Sequence, residues 1–221
     1  MRQKLCGALL AVGLLVGLSG PAAADIIFDI GASNTALGPY PGPFVHVDIH
    51  LNVNGTATVT ATGLTNSGFI YLMGGVNSFG LNTNGAVSVG AIVGNPLTTF
   101  SIGSGNVSAF GNFDFVINSD DGFGHASNSL SFTLTKTTGS WATENDILVA
   151  NNKGFLGEAH IFVSGPNCKD SKGVPIACVT GFAGNGGGGP PVQDVPEPGV
   201  LSLLGIGLLA LGTIALRRRQ G

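Results

Sequence analysis

An all-β fold, an antiparallel sandwich or jelly roll, is the class that this sequence predicts, and three observations lead to it. VHVDIHLNV and SLSFTLT alternate apolar and polar residues with a period of two. Turn-forming NTNG, GNP, GSGN and SDDGFG fall between short apolar runs. No stretch of the body sustains a helical period. Alternation puts successive side chains on opposite faces of a strand, so each such run buries one face and wets the other. Many short strands joined by Gly-rich turns then read as a sandwich-like antiparallel domain.

The first residues set the compartment. Arg2 and Lys4 form a basic start, residues 9–18 an apolar core, and Ser19-Gly20-Pro21 a break. Ala22 and Ala24 are the small residues that a signal peptidase reads, which places cleavage before Asp25. Residues 1–24 are therefore expected to be a signal peptide. The apolar core is short for a membrane span, and Cys6 precedes it, so no lipoprotein box is formed.

Residues 25–183 are expected to form one β-rich extracytoplasmic domain, long enough for a real core. Between residues 25 and 194 stand four lysines and eleven carboxylates, a balance of −7 that the terminal arginines mask. No basic patch is available to collect phosphates, which excludes nucleic acid as a partner.

The strands follow in order. In VHVDIHLNV, Val45, Val47, Ile49, Leu51 and Val53 share one face, and His46, Asp48, His50 and Asn52 the other. A two-residue Asn54-Gly55 turn would set apolar residues opposite polar ones in the following TATVTAT. A three-residue loop, Val53-Asn54-Gly55 with Gly55 left-handed, pairs Leu51 with Ala57 and Ile49 with Val59 and matches the faces. Further strands are expected at 69–73, 86–93, 97–102, 112–117, 129–135 and 159–163. Leu130, Phe132 and Leu134 share the buried face of SLSFTLT.

Once Cys6 leaves with the signal, Cys168 and Cys178 are the two cysteines left. Two cysteines without a nearby histidine make a poor zinc site. A disulfide across this short loop is the expected state in an oxidising compartment.

GNGGGGPPVQDV has linker composition, and residues 184–194 are expected to be a Gly/Pro linker. Gly184, Gly186 and Gly189 satisfy a GxGxxG pattern, but no helix follows to open, so the pattern carries no dinucleotide site. Residues 199–216 form an uncharged run of eighteen. As a helix that run would be about 27 Å long, close to the roughly 30 Å of a bilayer core. Arg217, Arg218 and Arg219 beyond it act as a cytoplasmic stop and leave the domain outside. Membrane physics alone fits both a permanent anchor and a tag that is later cut.

Val195-Pro196-Glu197-Pro198, the short apolar run and the three closing arginines together resemble a PEP-CTERM sorting signal. The resemblance is confined to residues 195–221. It implies Pro196, Glu197 and Pro198 as the recognition element for exosortase, an integral-membrane cysteine protease of Gram-negative bacteria that also make exopolysaccharide. It further implies an inner-membrane sorting intermediate, then cutting near the motif and passage to the cell surface or the medium.

Candidates for chemistry in the body are few. His46 and His50 lie about 13 Å apart along one strand, too far to hold one ion. Asn118, Asp120, Asp121 and His125 cluster in a turn that does not fit a calcium-binding EF-hand, because alignment on Gly122 puts Ile117 at the first ligand position. No GxSxG nucleophile occurs. We expect no catalytic residues, no metal and no cofactor.

The sequence thus reads as an exported, non-catalytic surface or matrix protein. Its expected partners are signal peptidase, an exosortase-type enzyme, exopolysaccharide and the membrane. The alternative is an extracellular hydrolase or a carbohydrate-binding module: Tyr40, Tyr71 and Trp141 on one flat face would favour carbohydrate binding, and a deep pocket holding a histidine and two carboxylates would favour an enzyme. N-terminal sequencing of exported protein should begin at Asp25; material retaining Met1 would refute the cleavage assignment.

Overall fold

Alternation along VHVDIHL and ATVTATG produces the register that matching faces require. The computed structural model describes residues 25–95, 99–107, 109–120, 122–185 and 192–194. Its strands are β1 (Asp25–Ser33), β2 (Val45–Leu51), β3 (Ala57–Gly63), β4 (Thr65–Asn66), β5 (Phe69–Met73), β6 (Phe79–Leu81) and β7 (Val87–Val89). They continue with β8 (Val93–Asn95), β9 (Phe100–Val107), β10 (Gly111–Ser119), β11 (Ser129–Lys136), β12 (Gly157–Ser164), β13 (Val179–Asn185) and β14 (Val192–Asp194). Helical structure among the described residues is limited to two 3-10 turns, Phe123–His125 and Glu144–Asp146.

The β2–β3 hairpin has the bulged form. Leu51 faces Ala57 and Ile49 faces Val59, and Gly55 adopts a φ of 79°. Such a conformation is cheap only for a residue without Cβ.

All pairing is antiparallel, and the strands form one continuous sheet in the order β7-β11-β3-β2-β1-β13-β12-β6-β10-β9. Three strands divide an edge between two partners. β1 pairs with β13 through Ile30–Ser33 and with β14 through Asp25–Ile27. β12 takes β6 and then β5, and β11 takes β8 and then β7.

The sheet curls until its halves face each other, as in a sandwich. Phe132 of β11 touches Phe79 of β6 and Phe115 of β10, with ring centroids 6.1 and 5.4 Å apart, although these strands lie far apart in the order. Between the halves sits the main core, built from inward residues such as Ile26, Ile30, Val47, Ile49, Val59, Phe79, Ile117, Leu134 and Ile161. Gly63 allows β3 and β5 to close over this core, because a Cβ there would lie 2.0 Å from the Tyr71 carbonyl oxygen.

Several segments differ from expectation. The 86–93 run divides into β7 and β8, both on the β11 edge. GSGN, expected as a turn, lies inside β9, where pairing with β10 holds its glycines in extended form. β1 and β13 are additional strands. Gly184 and Asn185 end β13, and residues 192–194 form β14, within the stretch of linker composition.

Cys168 and Cys178 are bonded, with Cα atoms 4.9 Å apart. The bridge closes the loop between β12 and β13. Inside it, the Asp170 carboxylate accepts from the amides of Lys172 and Val174 at 2.8 and 2.9 Å, and the Ile176 amide donates to the Cys168 carbonyl. Cross-linking so short a loop should contribute about 2–3 kcal/mol in the chain-entropy model. Exported protein should show two alkylatable thiols only after reduction, and the paired Cys168→Ser, Cys178→Ser variant should lose stability of that order in urea titration.

Candidate functional site

The polar face of β2 was the first candidate, and the register with β1 decides what its residues do. His46 stands opposite Asp29 and Asp48 opposite Ile27. The Nδ1 atoms of His46 and His50 bond to Asp29 Oδ1 and Asp25 Oδ1 at 2.7 and 2.6 Å. The side chains in both pairs are 38–51% exposed, so solvent screens them and they contribute little to stability. Asp48 lies between the pairs with Oδ1 closed off from water. Burial, then the charge of Asp25, raises its pKa, while His46 and His50 oppose the rise. The histidines are therefore tied across strands, and no group of three metal-ligating side chains occurs among the described residues.

Asn118 and Asp120 of the Asn118–His125 cluster are also committed to the fold, and His125 is exposed. Asn118 Oδ1 accepts from the Asn77 amide at 2.8 Å, and Asp120 accepts from the Thr99 hydroxyl. Asp121 lies outside the described residues.

The aromatic platform does not form. Tyr71 and Trp141 are core residues, 0% and 3% exposed. The Tyr71 hydroxyl donates to the Pro41 carbonyl at 2.6 Å, and Tyr40 packs edge-on against Phe69.

Sequence reasoning missed an open groove of about 460 Å³ lined by Asn82, Ser104, Gly105, Asn106, Asn112, Phe113 and Asp114. β9 and β10 supply most of its wall. The Asp114 carboxylate accepts from the Thr83 amide at 2.8 Å and its hydroxyl at 3.2 Å. The Asn82 amide donates to the Val149 carbonyl, and Asn106 donates to Asn112. No histidine and no second carboxylate line the groove. Its chemistry is hydrogen bonding by amides, without an acid–base pair. Its residues come from three separated segments, which no local motif could announce.

Glu158 is the other group that the sequence did not mark. It is fully buried, and neither carboxyl oxygen has a hydrogen-bond partner. By alternation with core residues Ala159 and Ile161 it lies on the opposite face of β12. A Cβ on Gly80, its neighbour on β6, would meet Glu158 Oε1 at 2.8 Å and Val116 Cγ1 at 3.0 Å. Glycine at that position makes the room. Val116 belongs to a second apolar cluster with Val107, Phe110 and Phe113. Burial there pushes the Glu158 pKa well above its ordinary 4.5.

Of the processing residues, Asp25 is described and opens β1. Ala22, Ala24, Pro196, Glu197, Pro198, Arg217, Arg218 and Arg219 lie outside the described residues, as does the 199–216 run. The described part, Asp25–Asp194, is one compact unit. Its first and last residues, Asp25 and Asp194, are register partners on adjacent strands.

Residues 194–219 match the family model of the PEP-CTERM protein-sorting motif. The motif marks an exported protein handled by an exosortase-type enzyme. Searches of curated proteins and of solved structures give no match for the chain.

Glu158 generates a pH prediction. Above pH 4.5 the unfolded chain releases this proton while the folded domain keeps it. Its contribution to stability is therefore full below that pH and is lost as the pH rises towards the folded value, with a slope of at most about 1.4 kcal/mol per pH unit. Urea unfolding from pH 4 upward should show that decline, and Glu158→Gln should flatten it.

Proposed function

We propose that the chain is a non-catalytic protein of the cell surface or extracellular matrix, exported through its signal peptide and sorted by its C-terminal tail. The carrying observation is the sorting-motif match at residues 194–219, which begins at the last residue of the sheet. In this reading Pro196, Glu197 and Pro198 are recognised by an exosortase-type enzyme. Two prolines restrict the backbone around the glutamate to an extended form that an enzyme can read. The apolar run holds the chain in the inner membrane, with Arg217, Arg218 and Arg219 on the cytoplasmic side, until it is cut.

Association with exopolysaccharide is the role we assign to the body. Support comes from the amide-lined groove, whose donors and acceptors suit the hydroxyls of a neutral polymer, and from the domain's negative charge, which disfavours polyanions. His46 and His50 are bonded to Asp29 and Asp25 across β1 and β2, which supports a non-catalytic reading over a hydrolase. A carbohydrate-binding module is the second reading, and the same groove favours it.

In its native host the wild type should lose residues 199–221. The Pro196→Ala, Glu197→Ala, Pro198→Ala variant should keep them and stay in the inner membrane. Intact-mass analysis of both forms decides the matter, and a surface-located wild type still bearing its arginines would reduce the segment to an anchor.

A further inference from the structure

Glu158 stands where its charge can act on the groove, and the inference drawn from that placement rests on the groove reading proposed above. Its register partners are Gly184 on β13 and Gly80 on β6, and Gly80 in turn faces Val116 on β10. Apolar groups fill the space that these glycines leave. A Cβ on Gly184 would meet the rings of Phe110 and Phe155 at 2.7 and 2.9 Å, and one on Gly80 would meet Val116 Cγ1 at 3.0 Å. Val107 and Phe113 complete the cluster. Water is thereby kept from both carboxyl oxygens.

The strands that supply this cover also wall the groove. β10 pairs with β6 through Phe115, Val116 and Ile117. On the other side of a bulge between Phe113 and Val116, the pairs Gly105–Phe113, Asn106–Asn112 and Val107–Gly111 join β10 to β9, the end of the strand order. Asn106, Asn112 and Phe113 of that section line the groove. Asn151 fastens the section, its side-chain amide donating to the carbonyls of Phe110 and Asn112 at 2.8 and 3.1 Å. The section can therefore lift about the bulge while Phe115 and Ile117 stay in the main core.

We propose that Glu158 is a pH-sensitive latch on the groove: as the neutral acid it lets Phe110 and Phe113 close over β12, and as the carboxylate it forces that section open and the groove wall with it. An unpaired charge is too costly to keep in an apolar cluster, so loss of the proton to water accompanies hydration of the site. Closed, the cluster holds the proton above the carboxyl's ordinary 4.5. Closure is therefore at full strength below that pH and weakens as the pH rises towards the closed-form value, by at most about tenfold per pH unit.

The charged groups of the surrounding elements are engaged elsewhere. His160 shares the face of Glu158 on β12 and stacks on Phe182, with ring centroids 4.3 Å apart. β10 brings Asp114, bonded to Thr83, and β1 brings Asp25 and Asp29, bonded to His50 and His46. Before β12, Lys153 Nζ donates to the Ala109 carbonyl at 3.4 Å. β6, β9 and β13 carry no titratable side chain.

Hydrogen exchange read by mass spectrometry, on the full chain in a polyoxyethylene detergent, tests the latch from about pH 5 to about pH 9. Glu158→Gln is the reference. It cannot ionise at this position and keeps His160, Asp114 and Lys153, so their titration and the intrinsic pH dependence of exchange cancel in the ratio of the two proteins. Exchange in a peptide covering Gly111 to Phe113 should rise in wild type relative to the reference, by up to about tenfold per pH unit. Peptides from β2 and β3 should keep a constant ratio. Glu158→Met replaces the reference if the glutamine form does not fold, and failure of both to fold would make the acid a structural requirement and overturn the latch. A flat ratio overturns it, as does a ratio that rises equally in β2 and β3, which is global unfolding. Dextran, a neutral glucan, should bind wild type several-fold more weakly at the high-pH end and the reference equally throughout. Equal binding by wild type at every pH overturns the link to the groove. Dextran bound by neither protein overturns the groove reading, while the exchange ratios still decide the latch.

Discussion

Everything in this domain hangs on β1. It pairs on one side with β2, and through it with β3, β11, β7 and β8. On the other side it pairs with β13 and β14, and through β13 with β12, β6, β10 and β9. Remove those nine residues and the strand order divides between β2 and β13, with the halves still touching at isolated bonds such as the bridge between Met73 and Ser127. The constraint extends to side chains. Ile26 and Ile30 must face the core, which sends Asp25 and Asp29 outward to the histidines of β2. A slip of one residue would exchange these sets, burying two carboxylates and exposing the isoleucines.

The polar residues that looked most like chemistry are thus consequences of register. His46 and His50 meet aspartates because β1 and β2 align their outward positions. Glu158 differs, because alternation puts it on a face that a second apolar cluster covers, and no partner accompanies it. Buried acids of this kind cost stability, and no hydrogen bond in the fold offsets that cost here. The groove beside β9 and β10 is the opposite case, with many polar groups, all partly exposed and several already bonded.

Legibility followed the range of the signal. The β2–β3 hairpin was readable to the residue pair, because alternation and an Asn-Gly turn lie within one short stretch. The sorting motif was equally readable, since its code is a local run of residues. β1 was not. Ile26, Ile27 and Phe28 form a continuous apolar run at the expected signal-peptide boundary, and outward-facing Ile27 hides the alternation. β13 was missed because Gly181, Ala183 and Gly184 carry little strand signal, and its extended form is imposed by β1 and β12. The glycines of β9 misled for the same reason. The His–Asp pairs, the groove and the unpartnered glutamate depend on which distant strands become neighbours, and no local pattern encodes that.

The position of β1 also fixes when this domain can finish folding. In the export proposed above, its first residue would follow the signal out of the cell first, while β13 and β14, which complete its far edge, would emerge last of the domain. Closing contacts so distant in sequence is slow for any chain. On the proposed export route it would be deferred further, until translocation is nearly over. The half built on β2 and β3 can assemble early, but the seam stays open until the C-terminal strands arrive. On that route maturation would be timed by the passage of the chain through the membrane, and a molecule stalled in transit would present the unfilled edge of β1 to its surroundings.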